Sequence, residues 1–310
     1  MTRVVTLGET MALARTTEIG SLRHAATLAL GIGGAESNVA IGLRRLGVDT
    51  AWLGRVGDDP LGERIARELR AEGLDTLAIV DHGASTGLML KERPSAASTA
   101  VHYYRRGSAG SRLEPTDVPA GWIEDADLLH VTGITPLLSE TARATVRAAV
   151  DRARAAGVRV SFDVNYRSAL ASPETAGPIL REIAERATLV FGGVEEFALL
   201  GPDALASLRA AGVAQVVVKR GPDGAAVLSE AGTTEAFGFA IDPLDTVGAG
   251  DAFVAGYLSA VLEGLDVADT LVRANACGAM ACLVPGDWEA APTRRDLEGF
   301  TAGGGDPVRR

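Results

Sequence analysis

Residues 245–262 read DTVGAGDAFVAGYLSAVL, a turn of small residues that passes directly into an apolar helix. Phe253, Tyr257, Leu258, Val261 and Leu262 recur at helical spacing, which gives that helix a face to bury. At Gly248, Ala249 and Gly250 backbone N–H groups can approach an anion closely, and the helix N-terminus adds partial positive charge. Asp251 falls in the first helical turn. An isolated Asp there would ordinarily be a cap. Behind Gly-Ala-Gly and the preceding Asp-Thr, it reads instead as an ionised carboxylate pinned beside a phosphate hole. Such a group can accept a hydroxyl proton without a raised pKa.

Outward from this helix, short β-rich runs alternate with long amphipathic ones along the whole chain. RVVTLG (3–8), TAWLG (50–54), DLLHV (127–131), VRVSF (158–162), TLVF (188–191) and QVVVK (215–219) read as buried strands. ESNVAIGLRRLG (36–47), LGERIARELRAEG (61–73), SETARATVRAAVDRARAAG (139–157) and PETAGPILREIAER (173–186) read as helices, several closed by glycine. The pattern predicts an α/β sandwich around a largely parallel sheet. Two stretches, 10–33 and 86–112, break the rhythm and read as strands of a small protruding β-sheet. Within VHYYRR the strand period places Val101, Tyr103 and Arg105 on one face, His102 and Tyr104 on the other. A ring beside a guanidinium suits a polar, anionic small ligand. The tail TAGGGDPVRR (301–310) has no periodicity and is expected to fray.

The 310 residues, 47% of them hydrophobic, suffice for a large core. A net charge of −10, with basic residues interspersed among acidic ones, argues against nucleic acid and anionic membranes as partners. No apolar run is long enough to cross a bilayer and no targeting segment is visible, so a soluble protein is expected. Cys277 and Cys282, within ANACGAMACLV, read as small hydrophobes in a reduced, cytoplasmic compartment. The cationic residues are nearly all arginine, Lys91 and Lys219 being the only lysines, and most are expected on solvated helix faces.

With its D-T-x-G-A-G-D run the sequence resembles the PfkB, or ribokinase-like, family of carbohydrate kinases. The family's amino-terminal signature is matched by GGAESNVAIGLRRLGVDTAWLGRVGDD (33–59), with paired Gly33 and Gly34, Asn38 and a closing Gly-x-x-Gly-Asp. The likeness runs from Val4 to Phe300. Within the family it is strongest to the 2-keto-3-deoxygluconate kinases, through HYYRRGSAGSRL (102–113), TGITPLLS (132–139), SFDVNYR (161–167) and GDWEAAPTRRDLE (286–298).

The resemblance implies a three-layer α/β/α sandwich, one domain over residues 1–300, with a β-sheet lid that often packs against a partner copy. It implies transfer of a phosphoryl group from ATP, with Mg2+, to the 6-hydroxyl of a six-carbon keto acid. Asp251 would be the base and the amides of Gly248, Ala249 and Gly250 would stabilise charge. Gly34, Asn38, Tyr103, Arg105, Arg167 and Asp287 would bind the acceptor. Lys219, Gly221, Gly224 and Asn275 would bind ATP, with Asn165 and Arg167 near the transferred phosphoryl group and Asp163 orienting the metal shell. Family members carry an Asn-x-x-Glu element for magnesium; here Gly192 replaces the Asn and Glu195 is the candidate acid. Met89 stands where the gluconate kinases have a tyrosine.

Two arginines make physical sense for a carboxylate, which accepts a forked guanidinium, whereas a neutral sugar needs no such pair. Arg167 also follows a buried strand at the carboxyl end, where open α/β sheets bind ligands. The plainer alternatives are a surface role for either arginine, a packing role for Tyr103 and a simple turn at Gly221 to Gly224. Other acceptors stay open: fructose, ribose or the galacto epimer of the acid. So does a non-catalytic sugar or nucleotide sensor on the same fold, against which the intact Asp251 speaks.

Overall fold

The computed structural model describes residues 2–95 and 98–301. Its strands are β1 (Arg3–Leu7), β2 (Met11–Thr16), β3 (Leu28–Gly33), β4 (Asp49–Gly57), β5 (Asp75–Asp81), β6 (Leu88–Ser95), β7 (Ser98–Tyr104), β8 (Leu128–Thr132), β9 (Arg159–Asp163), β10 (Leu189–Gly193), β11 (Gln215–Lys219), β12 (Ala225–Ser229) and β13 (Gly232–Ala236). The helices are α1 (Ala35–Arg45), α2 (Pro60–Ala71), α3 (Glu140–Ala155), α4 (Pro173–Ala184), α5 (Val194–Leu199), α6 (Ala204–Ala210), α7 (Ala249–Glu263), α8 (Val267–Ala281) and α9 (Arg294–Thr301).

Nine strands form the main sheet, in the order β13-β12-β11-β10-β9-β8-β1-β4-β5. From β11 to β5 every neighbour is parallel; β12 and β13 close one edge as antiparallel strands. Alternate strand residues face opposite layers. Val4, Leu128, Leu189, Phe191 and Val217 therefore pack with α1, α7 and α8, while Val5, Leu129, Val190, Val216 and Val218 pack with α3, α4, α5 and α6. This is a three-layer α/β/α sandwich. Among the described residues no helix is long and apolar enough to cross a membrane.

Strand β5 and the β12–β13 hairpin are not among the strands expected from composition. Both β5 and β13 lie at sheet edges and are half-exposed, so they lack the continuous apolar run that marks a strand buried on both faces. Four more strands form a separate sheet, β3-β2-β6-β7, in which only β2 and β6 run parallel. Met11, Leu13 and Met89 bury beneath it with Val101 against them. In register Met89 faces Tyr103, which aims both at the body of the molecule. The expected frayed tail falls almost wholly outside the described residues: only its first residue, Thr301, is described, as the end of α9.

Candidate active site

The 245–251 turn enters α7 at the carboxyl end of the parallel strands. Gly248 is the residue before the helix and adopts φ 81°, ψ −9°. A side chain there would be strained and its Cβ would lie 1.8 Å from the carbonyl oxygen of Asp287, so only glycine fits. Asp245 fixes the start of the turn by accepting from the N–H of Val247 at 3.2 Å and of Gly286 at 3.2 Å.

Asp251 is buried in the first turn of α7. Asn38, on α1, donates to its Oδ2 at 2.8 Å, and Asn165, after β9, donates to its Oδ1 at 3.4 Å. Asn165 sits at φ 37°, the one described non-glycine residue with positive φ, a conformation that costs energy and is held by its surroundings. Burial pushes the Asp251 carboxyl up to about 7, against the stabilising pull of Asn38 and the Arg167 charge. A pinned carboxylate needs no raised pKa to accept a proton. Desolvation supplies one.

Two cavities meet at this turn. The smaller, about 60 Å3, is lined by Gly33, Gly34, Asn38, Met89, Tyr103, Arg105, Arg167, Gly248, Asp251 and Asp287, with Glu9. All the residues expected at the acceptor therefore converge. Their charges, however, are partnered in ways remote sequence spacing does not reveal. Arg105 lies 5.8 Å above the Tyr103 ring and donates through Nε to Glu9 at 2.7 Å, and Glu9 also accepts from Ser108. Asp287 is ion-paired with Lys91 at 3.0 Å. Arg167 is exposed at the mouth, with no ion pair among the described residues, and its field reaches Asp251 and Asp163. Among the described residues that line this cavity, one arginine fork rather than two is left without an ion pair.

The larger cavity, about 690 Å3, is lined by Lys219, Gly221, Gly224, Ala249, Gly250 and Asn275 and by the irregular segment 238–246. Gly221 to Gly224 is the turn between β11 and β12. Lys219 ends β11 with Nζ on both oxygens of Asp163, at 2.7 and 2.9 Å. Burial opposes its charge, but Asp163 and Glu196 hold the ammonium above the ordinary lysine value. The amide nitrogen of Asn275 donates to the carbonyls of Ala236 and Phe237, which leaves its oxygen for a ligand. Glu195 is exposed and lines neither cavity. Its neighbour Glu196 is the acid turned inward, accepting from the N–H groups of Tyr166 and Gly193.

Two cavities on either side of a glycine-built turn, with a buried carboxylate facing the smaller, have the form of a kinase that keeps donor and acceptor on either side of the transferred group. The chain matches the pfkB family of carbohydrate kinases over residues 1–294 and belongs to that family. It is an ATP-dependent sugar kinase. It is 38% identical to a 2-dehydro-3-deoxygluconokinase of Bacillus subtilis, covering 96% of this chain and 94% of the relative. It is 34% identical to a 2-dehydro-3-deoxygalactonokinase of Haloferax volcanii over 99% of both chains. The crystal structure of a PfkB protein from Polaromonas sp. JS666 superposes with a TM-score of 0.86 at 37% identity, covering 96% of this chain and 99% of that one.

Proposed function

We propose that the chain transfers the γ-phosphoryl group of ATP to the 6-hydroxyl of 2-keto-3-deoxygluconate, also called 2-dehydro-3-deoxygluconate. The observation that carries this reading is the shared turn: Gly248 and Asp251 face the smaller cavity, Ala249 and Gly250 the larger. ATP occupies the larger cavity, a normal size for a cofactor site, with Lys219, Gly221 and Gly224 near its phosphates. The acceptor enters the smaller one between Gly34, Asn38, Tyr103, Arg105, Arg167 and Asp287. Asp251 takes the hydroxyl proton as the new O–P bond forms and ADP leaves. The amides at 248–250 and the α7 N-terminus meet the charge on the moving phosphoryl group.

The residues present fit a magnesium ion that arrives with ATP and is reached through water, rather than one in a protein cage. Among the described residues no three His, Cys, Asp or Glu side chains converge on one point, and both Asp163 oxygens already face Lys219. The ion would neutralise the β and γ oxygens. Asp163 and Glu196, whose charges both act on Lys219, would be the carboxylates to orient that water shell, Glu195 being turned out.

The free Arg167 fork favours a sugar acid over a neutral sugar. The lid carries exposed Leu28, Leu30 and Tyr104, which suit a second copy of the chain. Two buried free thiols and a need for ATP suit the cytoplasm. A coupled ADP-release assay across 2-keto-3-deoxygluconate, its galacto epimer, fructose and ribose tests the proposal. The acids should turn over fastest; faster turnover of fructose or ribose would overturn the substrate assignment.

A further inference from the structure

We infer that Lys91 is a positioning residue for phosphoryl transfer, a built-in cation that holds the anion-binding turn and Asp287 in place from the lid. The chain uses arginine almost wherever it needs positive charge: of thirty cationic residues only Lys91 and Lys219 are lysines. Both sit at the site against carboxylates, Lys91 buried and Lys219 half-buried. A guanidinium is a wide planar fork, whereas an ammonium is a compact charge with three donors. Lys91 meets three acceptors: Asp245 Oδ2 at 2.6 Å, Asp287 Oδ1 at 3.0 Å and the Gly286 carbonyl at 3.0 Å.

Those acceptors support the turn. Asp245 opens the 245–251 segment and binds the N–H of Val247 and of Gly286. The carbonyl of Asp287 sits directly behind Gly248, where a Cβ would be. Lys91 thus ties the front of the turn to the strap behind it, and it does so from β6, so that a docked lid and an ordered anion hole are one state. Asp245, Asp287 and the adjacent Glu289 are acidic, and Lys91 is the cation in contact with the first two. Without it, two buried carboxylates would lie behind the place where phosphoryl charge collects, repelling it and each other.

The inference rests on the kinase reading, and the test separates the two. Lys91→Ala and Lys91→Met are compared with wild type by coupled assay, and by mass-spectrometric amide exchange over residues 245–251, with and without methylammonium. In Lys91→Ala, kcat should fall about 10–100-fold with a much smaller change in KM for ATP, as expected when a reacting geometry loosens. Exchange in the turn should quicken. Methylammonium should restore both in Lys91→Ala and neither in Lys91→Met, whose side chain fills the space without charge. Either variant within about twofold of wild-type kcat, no rescue of Lys91→Ala, or failure of both variants to fold overturns the inference. If wild type turns over no acceptor, the kinase reading fails, and rescue of exchange alone still decides the role of Lys91.

Discussion

Burial that lifts the Asp251 carboxyl to about 7 makes it a better base than a solvated Asp, and it also loads the fold with a charge that water no longer solvates. The folded-state pKa lies above the ordinary value of 3.8, so the native state binds this proton more tightly than the unfolded chain does. The stability this contributes is complete below about pH 4 and is lost as pH rises through about 7. Asp251→Asn should therefore gain thermal stability relative to wild type between pH 5 and pH 8, measured as a widening difference in Tm. Gly248→Ala should cost at least 100-fold in kcat, because its Cβ must displace the Asp287 carbonyl and with it the amides of the hole. Glu9→Gln should raise acceptor KM while sparing KM for ATP, since Glu9 aims Arg105 into the smaller cavity. Asp251 and its glycines were legible in the sequence because they are neighbours along one turn. Glu9 and Lys91 were not: they meet their partners Arg105 and Asp287 only after the chain has folded back over itself, 96 and 196 residues away.

At the level of elements, α7 carries Asp251, the proposed base, and must sit at a fixed depth between α1 and α8. Small residues set that depth. A Cβ on Gly42 of α1 would meet the Ala255 Cβ at 2.7 Å, and one on Gly256 would meet the Cys277 sulfur at 2.8 Å. Gly42→Leu should push α7 outward, lowering urea stability by about 1–3 kcal/mol and reducing kcat with it. Cys277 here does what its apolar surroundings in the sequence suggested, packing as a small hydrophobe. Helix α5 shows where periodicity fails. One short helix cannot fix its own phase from sequence: Glu195 was the acid expected at the site, whereas the hydrogen bonds from the N–H groups of Tyr166 and Gly193 turn its neighbour Glu196 inward.

For the whole molecule, the main sheet follows from alternating apolar runs, while the closeness of the lid to the body does not. The acceptor cavity of about 60 Å3 holds a couple of waters and is smaller than a six-carbon acid needs. Tyr103, 40% exposed, and Arg167 can swing aside by rotamer changes that leave the buried ion pairs of Lys91 and Arg105 intact. On the proposed reading, acceptor entry requires the rim to move. On the proposal that a second copy covers the lid, the exposed apolar residues of β3 give a separate expectation: wild type should scatter light as a dimer and Leu30→Glu as a monomer. The proposed role of Asp251 as the base is decided by the pH dependence of kcat/KM with 2-keto-3-deoxygluconate. For wild type it should rise through a pKa near 7, and Asp251→Asn at pH 8 should be slower by about 100- to 10,000-fold. A flat wild-type profile, with Asp251→Asn close to full rate, would contradict it.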